Sequence, residues 1–358
     1  MAGKNNRREG VMRRGVATRD NDLTVDTTQP PAGTVMTGVA TIKDPGQPAK
    51  TRGPARKAGK GSWALLLLAA PGIIWFFVFS YAPMAGLVVA FKNFSVSKGI
   101  FGSPWNGLDN FKYFIASGDA PRIVTNTLVL NVLFLAASLA AGLLLAVMLN
   151  ELRARFFKRF MQSAIFFPYF VSPIVISIML QVLLSGAQGN GGAVNDMLGI
   201  FNLPQVSWYT EPGPWPWILT IVKVWQMGGY MSVIFLAAIT SIPEEVYEAG
   251  MLDGASRTKM AVSITLPLLR PTAAILLVLG VGRIFYGDFG TIYAIVGDNG
   301  TLFSTTDVID TYVFRSLRTI GDFGTTAAIG LFQSIVGFIL ITAAVLVQRK
   351  YSKETTIL

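Results

Sequence analysis

The chain has 358 residues, of which 52% are hydrophobic and only 14% are charged. Soluble domains carry roughly a quarter of charged residues, so this composition excludes an ordinary soluble domain and indicates an integral membrane protein. The chain contains no histidine and no cysteine, which removes the commonest general base and metal ligand as well as disulfides and thiolate metal sites. We therefore expect no catalytic centre and no metal site.

Residues 1–60 form a basic segment before the first apolar stretch. They hold twelve Lys or Arg against five Asp or Glu, and so carry seven of the ten net positive charges of the chain. They are rich in Gly, Pro and Thr and cannot bury enough apolar surface to fold. We predict a disordered cytoplasmic tail that orients the first span, and no nucleic-acid partner. A lipid-surface or regulatory arm is the alternative.

Six apolar stretches follow, each long enough for a membrane span, which takes about 20 residues. Lys and Arg cluster between the second and third stretches, between the fourth and fifth, and after the sixth, whereas residues 185–216 contain neither. The positive-inside rule then places both termini in the cytoplasm. We predict an all-α membrane protein whose six helices cover 63–89, 124–149, 161–184, 217–239, 268–296 and 325–347.

Residues 185–216, between the third and fourth spans, are predicted to form a long loop on the outer face. The segment is punctuated by glycines and holds Trp208 and Trp215 near its end, with Trp217 directly after it. It either meets another protein or only connects the two spans.

Two cationic side chains, Lys223 and Arg283, fall inside the fourth and fifth predicted spans. Charged groups at membrane depth usually face the interior of a bundle or a water-filled path. We therefore predict that these spans line a path, with side chains from Lys223, Trp225, Gln226, Tyr230, Arg283, Tyr286 and Asp288. The alternatives are that Lys223 snorkels outward, that Arg283 pairs with Asp288 for structural reasons, and that the aromatic residues only pack.

Segment 241–267 is a polar elbow between the fourth and fifth spans. Ser241 and Glu244 form a capping-box pattern, which predicts a short helix from residue 242. Asp253-Gly254 is a turn dipeptide that ends this helix, because glycine tolerates a positive φ. A second short helix then extends to Pro267, and we expect Asp253 to cap it.

The elbow also carries a family signature. Residues 248–255 (EAGMLDGA) followed by Ile264 and residues 266–267 (LP) match the EAA motif, in which EAA, DGA and I-x-LP follow at fixed spacing. The chain thus resembles the permease subunits of bacterial ABC importers. Gly250 stands where that family usually has alanine, and Ala261 where a large aromatic residue is common.

Three further stretches extend the resemblance over residues 63–358. Residues 105–111 (WNGLDNF) resemble the WxGLxNF stretch of carbohydrate permeases. Residues 91–94 (FKNF) before 99–103 (GIFGS) resemble the subgroup that serves oligosaccharides and polysaccharides, and residues 167–172 (FPYFVS) add to the match. Aromatic anchoring at the bilayer edge would also explain Trp105 and Phe111.

The resemblance implies a type I ABC importer permease in the bacterial cytoplasmic membrane that moves an oligosaccharide or polysaccharide fragment by alternating access. The implied partners are a second permease, usually a homologue, two ATPase subunits, an extracellular or periplasmic solute-binding protein at residues 185–216, and membrane lipid. The chain has no GxxxxGK[ST] loop, so we expect ATP-Mg on the ATPases and no cofactor on this chain. The implied coupling residues are Glu248, Ala249, Gly250, Asp253, Gly254, Ala255, Ile264 and Pro267.

The predicted path suits a sugar, because aromatic faces stack on the C–H faces of sugar rings while amide, hydroxyl and guanidinium groups satisfy sugar hydroxyls. Two cations would also favour an anionic glycan such as a uronate oligomer.

The first alternative is the same machinery for a polyol, glycerol phosphate or amino acid, since the elbow motif is shared among importers. An ion channel or proton-coupled carrier is the alternative of another class, and it should show acidic or histidine relays within its spans. A membrane enzyme is disfavoured because His, Cys and paired carboxylates at depth are missing from the sequence.

Overall fold

The computed structural model describes residues 61–185 and 191–351. The predicted tail at 1–60 lies outside these residues, as do 186–190 of the outer loop and the last residues, 352–358. The described secondary structure is helical, apart from one isolated bridge between Lys92 and Trp105. All packing discussed below belongs to one unit of the chain, Leu66–Leu358.

Four helices are long and apolar enough to cross a membrane unaided. They cover Leu65–Phe91, Ala120–Glu151, Trp215–Thr240 and Phe323–Lys350. Two bent pairs could each form one more span, which gives up to six within the part of the chain that is described.

The bends have causes in the sequence. The first pair, Arg155–Phe170 and Pro173–Ser185, turns by 95° where Pro168 and Pro173 remove backbone donors on either side of the break. The second pair, Arg257–Leu268 and Arg270–Val281, turns by 52° just after Pro267. The third and fifth apolar stretches are therefore not straight helices.

The helices are numbered in chain order. The first part contains α1 (Gly61–Phe76, continued by a π turn at Phe77–Tyr81 and a 3-10 segment at Ala82–Phe91), α2 (Gly99–Gly102), α3 (Asp109–Ala116), α4 (Ala120–Glu151), α5 (Arg155–Phe166, continued as 3-10 to Phe170), α6 (Pro173–Ser185), α7 (Ala193–Ile200) and α8 (Trp215–Thr240). The second part contains α9 (Glu244–Leu252), α10 (Arg257–Met260, followed by a π turn at Ala261–Thr265), α11 (Leu266–Leu268), α12 (Arg270–Val281), α13 (Phe289–Val296), α14 (Phe303–Thr306, after a 3-10 turn at Gly300–Leu302), α15 (Ile309–Thr319) and α16 (Phe323–Tyr351).

The fifth predicted span, 268–296, is interrupted. Helix α12 ends at Val281 and α13 begins only at Phe289, so residues 282–288 are a non-helical break inside the predicted span. Glycines at 280, 282 and 287 weaken helix propensity here, and they also allow close packing. A Cβ on Gly280 would lie 2.3 Å from Leu135 Cδ1, and one on Gly287 would lie 2.8 Å from Val308 Cγ2.

Helices α4 and α8 pack tightly through small residues. A Cβ added to Gly142 of α4 would lie 2.4 Å from the Cβ of Met231 on α8. On the other side of α8, Gly229 faces the third span, and an added Cβ there would lie 2.0 Å from the carbonyl oxygen of Ile165. The second, third and fourth apolar stretches therefore share one close-packed core.

Candidate functional site

The turn inside the elbow is a Schellman motif. Gly254 has a φ of +74°, as the predicted turn dipeptide requires. Its N–H donates to the carbonyl of Met251 at 3.0 Å, and the N–H of Ala255 donates to the carbonyl of Gly250 at 2.9 Å. These two bonds close the C-terminus of α9 and turn the chain sharply toward α10.

The predicted caps of the elbow helices are wrong. Helix α9 begins at Glu244, and the Ser241 hydroxyl donates to the carbonyl of Ala238 at 2.7 Å, so Ser241 belongs to the end of α8. At the second helix, Ser256 is the N-cap and accepts from the N–H of Lys259 at 3.3 Å. Asp253 instead stands at the C-terminal end of α9. Serine outcompetes aspartate here because it directly precedes the first helical residue.

The second elbow helix also extends further than predicted. The helical backbone passes through a π turn at Ala261–Thr265 and through Pro267 before it bends at Leu269. The wider π turn lies just before Pro267, whose ring has no N–H to donate and would clash with the carbonyl four residues earlier in a regular α-helix. The elbow thereby leads directly into α12.

Gly250 lets the two elbow helices touch. It is buried, and an added Cβ would lie 2.9 Å from Ile264 Cδ1 and 3.6 Å from Met260 Cγ. The Tyr247 hydroxyl and Thr265 Oγ1 lie 3.0 Å apart and form a hydrogen bond across the same contact. The helices α9 and α10–α11 therefore form one rigid piece.

Beside this piece is a cavity of about 390 Å³ under the end of α4. Ala261, at the position where an aromatic residue was expected, lines this cavity together with Met260 and Met251. Arg257 reaches Glu151 of α4 at 3.8 Å on its rim. The small side chain at 261 leaves space between the elbow and the second span.

The motif residues divide into two groups by exposure. Gly250 is buried, while Ala255, Ile264 and Pro267 are half-buried and hold the elbow together. The exposed group consists of Glu248, Ala249, Asp253 and Gly254. Sequence reasoning missed Met251 and Leu252, which are 57% and 90% exposed and present apolar surface between the two halves of the motif.

Within the membrane helices, Lys223 pairs with Asp288. The Lys223 Nζ lies 2.6 Å from Asp288 Oδ2, and the side chains are only 16% and 26% exposed. The pair joins α8 to the end of the break at 282–288. The alternative in which Arg283 pairs with Asp288 is therefore wrong.

Two further side chains hold the break. Gln333 of α16 donates to the carbonyl of Phe285 at 3.0 Å, and the N–H of Gly287 donates to Asp310 Oδ2. Asp310 belongs to α15, in the connection between the fifth and sixth stretches. Burial raises the pKa of Asp310, and hydrogen bonds from Gly287 and Gln333 lower it in part. Sequence reasoning missed Asp310 and Gln333, because both lie far along the chain from the groups they bind.

The other predicted path residues do not form one cluster with Lys223 and Asp288. Gln226 is buried and donates to the carbonyl of Val171 at 3.3 Å, where the third stretch bends. Tyr230 stacks on Tyr169 with ring centroids 4.9 Å apart. Both therefore contact the third stretch.

Besides Tyr230, three predicted path residues are exposed. Trp225 lies on α8, and Arg283 and Tyr286 lie in the break of the fifth stretch. The Tyr286 hydroxyl is 3.3 Å from Ser334 Oγ of α16. Exposure leaves these three side chains free to meet a ligand or another subunit.

The loop before α8, which was predicted to lie on the outer face, is tied to the segment after α13. The carbonyl of Tyr209 accepts from Asn299 Nδ2 at 2.7 Å, and the carbonyl of Pro212 accepts from Thr305 Oγ1 at 2.7 Å. Asn195 braces α7 by accepting from the indole N–H of Trp208 at 2.9 Å. Met197, Ile200, Phe201 and Leu203 project from this braced loop as exposed apolar side chains.

A buried ionic cluster fastens the neighbouring connection. Asp307 has no exposed side-chain surface and lies 2.7 Å from Arg315 Nη2 and 3.3 Å from Arg122 Nη2. Arg122 lies in the first turn of α4 and also reaches Asp119 at 2.8 Å. Among the described residues, no group of three His, Cys, Asp or Glu side chains could hold a metal ion.

Comparison with known proteins gives these features a context. The model of the family described as "Binding-protein-dependent transport system inner membrane component" matches residues 138–353. Protein LplB of Bacillus subtilis is 35% identical over 317 residues, which cover 86% of this chain and 98% of LplB. The polygalacturonan/rhamnogalacturonan transport system permease protein YteP of Bacillus subtilis is 33% identical over 290 residues, which cover 81% of this chain and 89% of YteP.

Solved structures agree with the sequence comparison. A bacterial ABC transporter involved in the import of the acidic polysaccharide alginate matches with a TM-score of 0.73 and 34% identity, over 81% of this chain and 96% of that one. A bacterial alginate ABC transporter in complex with an alginate pentasaccharide-bound periplasmic protein matches with a TM-score of 0.74 and 32% identity, over 83% and 98%. The predicted all-α, type I permease fold is confirmed. The chain belongs to the family of binding-protein-dependent inner-membrane transport components and is a permease of the ABC-importer type.

Proposed function

We propose that this chain is the membrane-spanning permease subunit of an ATP-driven importer for an oligosaccharide or polysaccharide fragment. The observation that carries this proposal is the match to the alginate importer, at 34% identity over 96% of that chain. The arabinooligosaccharide permease AraP of Halalkalibacterium halodurans, 26% identical over 280 residues, supports the same substrate class. Transport proceeds by alternating access around the bundle.

Energy enters through the elbow. The exposed residues Glu248, Ala249, Asp253 and Gly254, with the apolar pair Met251 and Leu252, form a compact surface that suits a groove on an ATPase. Two ATPase subunits bind and hydrolyse ATP-Mg, and this chain carries no catalytic residue and no cofactor. Because α9 and α10–α11 are packed as one piece, closure of an ATPase moves α8 and α12 together.

A second permease completes the path. The apolar side chains of the first helix are widely exposed, with Leu67 at 78% and Leu68 at 81%, and this surface suits lipid or a neighbouring subunit. A homologous second chain, rather than a copy, is the partner that we propose. The substrate path runs past the groups in and around the break of the fifth stretch.

A solute-binding protein delivers substrate at the outer face. The braced loop with its exposed apolar side chains at 197–203 is the surface that we assign to this contact. We propose that residues 61–358 form the permease domain, and that both termini lie in the cytoplasm because basic residues cluster before the first span, in alternate loops and after the sixth span.

The test is ATP-driven uptake by the reconstituted assembly. This chain would be co-expressed with a second permease, an ATPase and a binding protein from the same organism and placed in proteoliposomes. We expect uptake of labelled oligosaccharides that requires both ATP and the binding protein. Uptake without either component, or of no oligosaccharide at all, would contradict the proposal.

One relative favours a second candidate substrate. The sn-glycerol-3-phosphate permease UgpA of Pectobacterium atrosepticum is 25% identical over 300 residues, which cover 83% of this chain and 96% of UgpA. Glycerol 3-phosphate therefore belongs in the same uptake assay as a competitor, where we expect no inhibition of oligosaccharide uptake.

A further inference from the structure

Arg283 lies at the middle of the bundle in the direction of the helix axes. Gly337 is fourteen residues from each end of α16, or about 21 Å at 1.5 Å per residue. A Cβ added to Gly337 would lie 3.6 Å from the carbonyl oxygen of Gly282 and 3.6 Å from the ring of Tyr286. Arg283 directly follows the first of these contacts and precedes the second by three residues, so its backbone is level with the midpoint of the sixth span.

The guanidinium of Arg283 has no compensating anion among the residues that the structure describes. The side chain is exposed, and it forms no ion pair within residues 61–185 and 191–351. A side chain at the midplane cannot reach either headgroup layer, because half of a hydrocarbon core about 30 Å thick exceeds its length. The surface at Arg283 therefore faces water or a polar partner rather than lipid.

Lys223 differs in this respect. It lies eight residues into α8 and its charge is neutralised by Asp288 at 2.6 Å. Of the two intramembrane cations, only Arg283 presents an uncompensated charge to the outside of the bundle.

The groups beside Arg283 suit a sugar acid. The N–H of Tyr286 donates to the carbonyl of Arg283 at 2.9 Å, so the two residues share one turn. The exposed Tyr286 ring offers a face for stacking, and its hydroxyl forms a hydrogen bond with Ser334, so that sugar hydroxyls meet further donors and acceptors there. A guanidinium binds a carboxylate through two parallel hydrogen bonds, which a lysine cannot reproduce.

Resting on the proposed function, we infer that Arg283 binds a carboxylate of the transported glycan, so that the substrate is an acidic oligosaccharide, while Lys223 only positions the break of the fifth stretch. Tyr286 and Ser334 bind the hydroxyl groups and ring face of the same sugar unit. Arg283 is thereby a specificity-determining residue for uronate over neutral sugar.

The test compares two sugars of equal length in proteoliposomes that hold the complete transporter. The probes are a galacturonate trimer and a galactose trimer, and the variants are Arg283→Gln and Arg283→Lys. We expect the native assembly to prefer the galacturonate trimer, and Arg283→Gln to lower its uptake at sub-saturating concentration about tenfold or more, with the loss mainly in KM. Galacturonate uptake by Arg283→Lys should lie between that of the native assembly and that of Arg283→Gln. Uptake of the neutral trimer should not fall in either variant.

The control is Arg349→Gln, an exposed arginine at the inner end of α16, which should leave both uptake rates unchanged. If the native assembly prefers the neutral trimer, or if Arg283→Gln lowers uptake of both sugars equally, the inference is wrong although the proposed function stands. If Arg283→Gln instead prevents co-purification of the second permease, the guanidinium pairs with that subunit and the inference is also wrong. Failure of the native assembly to import either sugar in an ATP-dependent manner would count against the proposed function itself.

Discussion

Lys223 and Arg283 look alike in the sequence, because each is a lone cation within an apolar stretch, but the structure separates them. Lys223 is partly buried against Asp288, and Arg283 is exposed beside Tyr286. The sequence could place both within spans from local hydrophobicity alone. It could not assign their partners, since Lys223 and Asp288 are 65 positions apart and only the packing of α8 against the break brings them together.

The Lys223–Asp288 pair should stabilise the permease mainly by preventing an isolated buried charge. We expect Lys223→Met to lower the free energy of unfolding by about 1.5–3 kcal/mol, because Asp288 loses a charge-assisted hydrogen bond in a poorly solvated site. The double variant Lys223→Met/Asp288→Asn should recover most of this loss, since no buried charge remains. Thermal unfolding of the detergent-solubilised permease measures both.

A surface pair provides the control for this cycle. Lys112 and Asp109 lie 3.0 Å apart with side chains that are 74% and 65% exposed, so Lys112→Met should change stability by less than about 1 kcal/mol. A double variant at 223 and 288 that is no more stable than Lys223→Met would show that the pair does not act through charge compensation.

At the scale of single elements, those parts of the elbow were predictable whose backbone conformation depends only on neighbouring residues. The Asp253-Gly254 turn is confirmed, because only a residue that tolerates a positive φ can close α9 in this way. The helix caps were not predictable, since the backbone of α8 continues to Ser241, and Ser256 rather than Asp253 directly precedes the second elbow helix. The break at 282–288 had a signal in its glycines, but its clamps, Asp310 and Gln333, come from α15 and α16.

Gly254→Val tests the elbow as the coupling element. A Cβ at Gly254 would meet open space, so the penalty is purely that of the left-handed backbone, roughly 1–2 kcal/mol for an ordinary residue and more for a β-branched one. We expect Gly254→Val to enter the membrane normally but to lose ATP-driven uptake in proteoliposomes, because the turn that orients α9 opens.

Gly254→Asn is the matched variant, since asparagine tolerates the left-handed region far better than valine, and it should retain most of the uptake. Normal coupled uptake by Gly254→Val would show that the turn geometry is dispensable.

At the scale of the whole molecule, the bundle combines a tightly packed part with a segmented part. Helices α4 and α8 and the start of the third stretch meet through glycines with almost no free space. The fifth stretch is instead divided by a bend at Leu269 and by the break at 282–288, and the elbow leads directly into its lower segment. We therefore expect motion of the elbow to turn α12 against this core, while Lys223, Asp310 and Gln333 hold the end of the break that adjoins α13.

Two neighbouring glycines of α8, Gly228 and Gly229, differ in how closely they pack against this core. A Cβ on Gly229 would lie 2.0 Å from the carbonyl oxygen of Ile165, a backbone atom that cannot move without shifting α5. A Cβ on Gly228 would have Leu145 Cδ1 at 3.6 Å as its nearest neighbour, which is ordinary contact. We expect Gly229→Ala to cost about 1–3 kcal/mol of stability through overpacking and to lower uptake, because the third stretch no longer seats against α8. Gly228→Ala should be neutral or slightly stabilising, since alanine favours helix by about 1 kcal/mol over glycine. The unfolding temperatures of the two variants test this prediction. Equal values would mean that the third stretch can move away from α8 freely, and that the core is not fixed.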